Sequence, residues 1–176
     1  MERANQIEKT IRIFKPRSSY GWTWLIAIAL LSLITLAPTI QSAEKIQPPV
    51  LLLTAGLAGA VFIGGFALAF WFPTMRYELD EQTLTLRYGP VLNYRIPLSQ
   101  IRNIRRRDLS LTIWSSIRFP GIALFTVPYS DVGNVKMCAT AAMKGILLVE
   151  TDKAKFGITP ADEEGLVTAI QARIVE

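Results

Sequence analysis

The densest concentration of fixed charge in the chain is Arg102, Arg105, Arg106 and Arg107, four guanidinium groups within six positions. Each guanidinium is a planar fork of donors that fits carboxylate or phosphate oxygens. Such a cluster has a plain reading, a solvated strand end or turn with Asp108 beside it as a partner. The sharper reading is attraction to anionic lipid headgroups. A nucleic-acid platform would need aromatic rings among the basic residues, and the nearest are Tyr94 and Trp114. No nucleic-acid partner is therefore expected.

Other chemistry is scarce. The 176 residues include no histidine and one cysteine, Cys138, which removes Ser-His-Asp and Cys-His arrangements and any cysteine-built metal site. Cys138 reads as a small core residue, since no base accompanies it. Asp162, Glu163 and Glu164 cluster where the first turn of a helix favours acids. Gly56, Gly59, Gly64 and Gly65 lie in an apolar run rather than in a phosphate-binding strand–loop–helix. No metal, cofactor or enzymatic activity is expected.

The elements that position these residues begin with two charge-free stretches, residues 20–40 and 50–72. As helices each would rise about 30 Å or slightly more, enough to cross a hydrocarbon core. Tyr20, Trp22 and Trp24 mark one end of the first and Trp71 the end of the second, where aromatics favour the headgroup layer. The short linker 41–49 makes the pair a hairpin. A cleavable signal peptide is the weaker alternative, because Gln41-Ser42-Ala43 lacks the small-residue pattern of a cleavage site. Basic residues gather before the first stretch (Arg3, Lys9, Arg12, Lys15, Arg17) and after the second (Arg76, Arg87, Arg95). This places both termini in the cytoplasm. Much of the net charge of +5 is accounted for in this way. Gly56, Ala60 and Gly64 form a small-xxx-small seam, most simply packed against the first helix.

Residues 73–176 read as a separate cytoplasmic domain of several short strands. Strands are expected at Arg76–Leu79, Thr83–Arg87, Asn93–Ile96, Ile101–Arg107, Leu109–Ile113, Ile122–Val127, Val135–Cys138, Gly145–Thr151 and Lys155–Ile158. A helix follows, with Thr159 as N-cap, Pro160 at its first position, and Leu166, Val167, Ile170 and Ile174 on one face. The uncharged run 109–128 reads as core strands and a connection, or as an exposed patch through Trp114, Ile117 and Phe119 that meets the bilayer or a partner. Residues 1–19 form a juxtamembrane segment, either an interfacial helix through Ile7, Ile11 and Phe14 or an extra strand through Ile11 and Ile13.

The tail resembles the bacterial pleckstrin-homology (PH) domain family found behind paired membrane helices. The resemblance rests on Tyr77-Glu78-Leu79-Asp80, Thr83-Leu84, Arg87-Tyr88-Gly89, Ile96-Pro97-Leu98-Ser99-Gln100-Ile101, Phe119-Pro120-Gly121, Gly145-Ile146-Leu147-Leu148 and Phe156-Gly157-Ile158-Thr159-Pro160-Ala161-Asp162. It implies an α+β chain: a transmembrane hairpin (residues 20–72), then a PH-like antiparallel β-sandwich or barrel with a C-terminal α-helix. It does not carry over phosphoinositide specificity, because the loop corresponding to the basic loop of eukaryotic PH domains is Asp80-Glu81-Gln82. The expected role is a non-enzymatic, membrane-anchored module that contacts the bilayer and recruits a protein partner or another copy. The alternatives are an accessory subunit of a membrane transporter or enzyme complex, and a lipid-headgroup-binding module.

Overall fold

The two charge-free stretches form helices α1 (Gly21–Gln41) and α2 (Pro48–Trp71). Pro48 and Pro49 open α2 at its first positions, where a missing N–H costs no helical bond. Both helices are long and apolar enough to cross a membrane, and their large side chains are mostly exposed. The computed structural model describes residues 11–42, 44, 46–110 and 118–174.

The two helices pack along a seam that differs from the expected one. A Cβ on Gly65 would lie 3.0 Å from the Leu25 carbonyl and 3.2 Å from the Ala29 Cβ. Leu25, Ala29 and Ala69 are buried there. Gly56, Ala60 and Gly64 are exposed, and no heavy atom lies within 4 Å of where a Cβ on Gly56 or Gly64 would stand. Adjacent helical positions are about 100° apart, so a seam through Gly65 turns Gly64 and its four-residue neighbours away.

The rest of the chain builds two sheets. The first contains β1 (Arg12–Phe14), β2 (Arg76–Leu79), β3 (Thr83–Tyr88) and β4 (Leu92–Pro97), antiparallel and in that order. The second runs β5-β9-β10-β8-β7-β6, from β5 (Ile101–Arg107), β6 (Arg118–Phe119), β7 (Ile122–Tyr129), β8 (Gly133–Ala139), β9 (Ile146–Thr151) and β10 (Lys155–Ile158). One pair departs from the antiparallel rule: β10 inserts between β9 and β8 and runs parallel to β8.

Alternation in the strands puts Tyr77, Leu79, Leu84, Leu86 and Tyr88 inside, against Leu124, Cys138, Leu147, Val149 and Ile158 of the second sheet. Helix α3 (Glu163–Ile174) closes the sandwich with Leu166, Ala169 and Ile170. Each such aliphatic side chain contributes about 1.5–3 kcal/mol by leaving water. The cap of α3 is Asp162, not Thr159: its carboxylate accepts the Gly165 N–H at 2.9 Å. Thr159 is buried instead, with its hydroxyl 2.9 Å from that of Thr140. Ile174 is 45% exposed and does not complete the apolar stripe.

The outer face of the second sheet has its own core, in which Leu109 covers Val127, Tyr129, Met137 and Leu148. Leu109 precedes no strand up to Ser110. The rest of the expected 109–113 strand, together with Trp114 and Ile117, falls outside the described residues. Phe125 in β7 has φ +65°, a cost of about 1 kcal/mol or more, and packs against the core between the sheets.

The segment before α1 also pairs with this sandwich. β1 pairs with β2, Arg12 opposite Leu79 and Phe14 opposite Tyr77. The chain then crosses to the second sheet: the Arg17 N–H donates to the Thr159 carbonyl at 2.7 Å, and the Ala161 N–H to the Lys15 carbonyl at 2.9 Å. Of the two readings of the N-terminal segment, the strand is therefore the one found at residues 12–14.

Two glycines let the hairpin meet this domain. Gly21, at the start of α1, lies so close to the β6–β7 turn that an added Cβ would overlap the Gly121 carbonyl. A Cβ on Gly89, which has φ +49° in the β3–β4 turn, would come within 2.7 Å of the Trp71 ring at the end of α2. Replacing Gly21 by Val should unseat α1 and lower the thermal unfolding midpoint of the detergent-solubilised protein by several degrees, equivalent to about 2 kcal/mol or more. Gly65→Val should also destabilise by opening the helix seam, whereas Gly64→Val should leave the midpoint nearly unchanged. Equal effects at Gly64 and Gly65 would contradict the seam described.

Candidate functional site

β5 is an edge strand of the second sheet, with a register shift between Ile101 and Asn103. Its exposure does not alternate: Arg102, Asn103, Arg105 and Arg106 are exposed, while Ile104 and Arg107 are half-buried. Charged side chains along such an edge discourage strand addition. None of the four arginines stands alone. Arg102 forms a two-pronged pair with Asp152, at 2.7 and 2.9 Å. Arg105 reaches Glu150 at 2.9 Å, and Asn103 donates to the same carboxylate at 3.2 Å. Arg106 lies 3.9 Å from Glu163, and Arg107 3.5 Å from Asp131.

Asp108, the expected partner, instead accepts the Gly145 N–H at 2.7 Å. The cluster is thus a ladder of four cations and four acids. The acids come from β9, from the turns that follow β7 and β9, and from α3, all distant in sequence. Arg102 holds the exposed Asp152 carboxyl below the usual carboxylate range, chiefly through their hydrogen bond. A phosphate arriving here would have to displace carboxylates already in place.

Phe119 lies on β6 and is half-buried against the core between the sheets. Trp114, its expected companion in an exposed patch, is outside the described residues. The structure does not bring the arginines and Phe119 into one site.

A second region has no single motif in the sequence. Where both helices meet the domain, a groove of about 780 Å³ opens between the segment after β1 and the end of α2. Its walls include Ile13, Trp22, Phe70 and Phe72, and its cations are Lys15, Arg17 and Arg76. The β3 edge of the junction is bonded to α2: the Tyr88 hydroxyl donates to the Leu68 carbonyl, one of the last-turn carbonyls that a helix leaves without an internal partner. The Gly89 N–H donates to the Thr74 hydroxyl at 2.9 Å, and that hydroxyl donates to the Trp71 carbonyl at 2.7 Å. On the α1 side the Ser19 hydroxyl donates to the Gly121 carbonyl and accepts the Gly21 N–H.

The remaining nucleophile is shut away. Cys138 is fully buried in β8, and burial pushes its thiol up to about 12. Burial likewise raises Tyr77, whose hydroxyl donates to the Cys138 carbonyl at 2.8 Å and accepts the Thr159 N–H at 3.2 Å. Among the described residues no three His, Cys, Asp or Glu side chains converge as a metal site would require. Iodoacetamide should leave Cys138 unmodified at pH 8 in the folded protein and alkylate it readily after denaturation. Because the thiol titrates higher folded than unfolded, its contribution is present in full below the ordinary value of 9.0 and is lost as pH rises toward about 12. Stability should fall across that alkaline window. Rapid native alkylation, or stability flat above pH 9, would contradict this placement.

A family model for the bacterial PH domain matches residues 75–174, from just before β2 to the end of α3. Comparison with curated proteins finds no match, and neither does comparison with solved structures. The matched span contains both sheets except β1, together with the closing helix, so the family's domain is the two-sheet sandwich to which the hairpin is docked. The chain belongs to the bacterial PH domain family.

Proposed function

We propose that the protein is a membrane-anchored, non-enzymatic binding module. Its helical hairpin holds the PH-like sandwich at a fixed attitude against the cytoplasmic face of a bacterial inner membrane, with both termini in the cytoplasm. There it recruits a protein partner or a second copy of itself. The observation that carries this reading is the junction: both helices end directly on turns of the sandwich, through Gly21 on Gly121 and Trp71 on Gly89, with no flexible linker. A lone anchor would need no such contact, whereas a module that presents a surface at a set height would.

Further support comes from the exposed apolar sides of both helices, which need lipid or another helix to cover them. β1 pairs with β2, so the segment before α1 and the domain after α2 lie at one end of the hairpin. The basic residues at that end favour the cytoplasmic side. Lateral assembly is favoured by the open small-residue face at Gly56, Ala60 and Gly64, which admits close approach of a further helix. This face serves self-association and the accessory-subunit reading alike.

The reading is tested with single cysteines in the full chain. An impermeant maleimide should label Ser42→Cys in intact spheroplasts and Lys153→Cys only after lysis. Crosslinking in membranes should trap a dimer or a complex with a co-purifying protein. The reverse labelling pattern, or a chain that stays in the soluble fraction, would contradict the anchoring. An uncrosslinked monomer without a co-purifying protein would contradict the recruitment role.

A further inference from the structure

The groove at the helix–domain junction combines two properties. Its cations, Lys15, Arg17 and Arg76, come with no acidic residue in the lining. Its apolar wall continues onto the helices that face lipid, through Trp22 on α1 and Phe70 on α2, the latter 76% exposed. Two of the cations already have partners outside the groove. Arg76 pairs with Glu78 at 2.7 Å, and Arg17 lies 3.5 Å from Glu163 while donating to the Gly145 carbonyl at 3.2 Å. Lys15 has no acid partner among the described residues. The groove thus combines an excess of positive charge with an apolar wall that leads along the hairpin.

We propose that this groove binds one anionic phospholipid of the surrounding leaflet, with its headgroup phosphate at Lys15, Arg17 and Arg76 and an acyl chain along Phe70 and Trp22. The inference rests on the membrane-anchored reading. A water-soluble anion would match the cations but leave the apolar wall wet, and an apolar ligand would leave the cations without a counter-charge. An anionic phospholipid satisfies both. Its place differs from the Asp80-Glu81 loop, where two carboxylates oppose phosphate, and from the β5 ladder, where four acids match four arginines, whereas the groove keeps Lys15 without an acid partner among the described residues. Ser18 also lines the groove. A lipid seated there would touch the segment after β1, α1 and the end of α2 together, and so strengthen the junction.

The test uses the full chain in nanodiscs of equal phosphatidylglycerol and phosphatidylcholine, with retained lipid counted by native mass spectrometry. The unmodified protein should retain one phosphatidylglycerol in clear preference to phosphatidylcholine. The double variant Lys15→Gln/Arg76→Gln should weaken that retention by about fivefold per charge removed. Ser18→Glu, at an exposed position with no hydrogen bond among the described residues, should also weaken it and decides the matter if the double variant fails to fold. Arg102→Gln/Arg105→Gln removes the same charge from the ladder and should have no effect. Equal retention of both lipids by the unmodified protein, unchanged preference in the groove variants, or equal loss in the ladder variant would overturn the lipid site while leaving the anchoring intact. A chain that does not enter nanodiscs would overturn the anchoring itself.

Discussion

At the start of α1 two backbones touch without side chains between them, Gly21 against Gly121. The contact is possible only because both positions lack a Cβ, and at Gly121 the turn also needs φ +90°. It sets where the first helix leaves the sandwich, and the Ser19 hydroxyl bridging the two residues holds it there. The second helix is placed by the matching contact of Trp71 with Gly89, and by the Tyr88 hydroxyl on the Leu68 carbonyl. Each hydrogen bond contributes about 1 kcal/mol, and the burial of Leu25 and Ala69 against the domain core adds to it. The hairpin is therefore a structural part of the domain rather than a tether attached to it.

This arrangement explains why the segment before α1 belongs to the sandwich. A chain that enters α1 at the β6–β7 turn must first pass the edge of the first sheet, and β1 fills that edge before residues 15–17 cross to Thr159 and Ala161. The family match begins only at residue 75, so the stretch that joins the two sheets at this end lies outside it. The groove is a by-product of the same geometry: its walls come from residues 13–22, the end of α2, the first residues that follow, and Thr140 after β8.

Much of the fold was legible because alternation and length are strong signals. The 76–79 and 83–88 hairpin, the β5 strand, the hydrophobic helices and the C-terminal helix all follow from local pattern. The misplaced features share a different cause. Gly64 and Gly65 are adjacent and identical, and only the partner helix decides which one faces inward. Thr159-Pro160 has good cap chemistry, but Thr159 is needed inside, where its hydroxyl meets Thr140 and its N–H meets Tyr77; Asp162 then takes the cap. The parallel β8–β10 pair leaves no mark in strand alternation. The arginine cluster was conspicuous in the sequence, yet its acids, Asp152, Glu150, Glu163 and Asp131, are 24 to 57 positions away along the chain, and only the fold brings them together. The groove was illegible for the same reason, being built from segments some 50 residues apart.

The central claim is that hairpin and sandwich move as one body. It is tested most directly by the distance between two spin labels in the full chain in nanodiscs, one at Gln41 near the hairpin tip and one at Lys153 in the exposed β9–β10 turn. Both positions are exposed, and buried Cys138 need not be removed. A single narrow distance distribution, broadened when Gly21 is replaced by Val, is the predicted result. A broad or multiple distribution in the unmodified protein would contradict the claim.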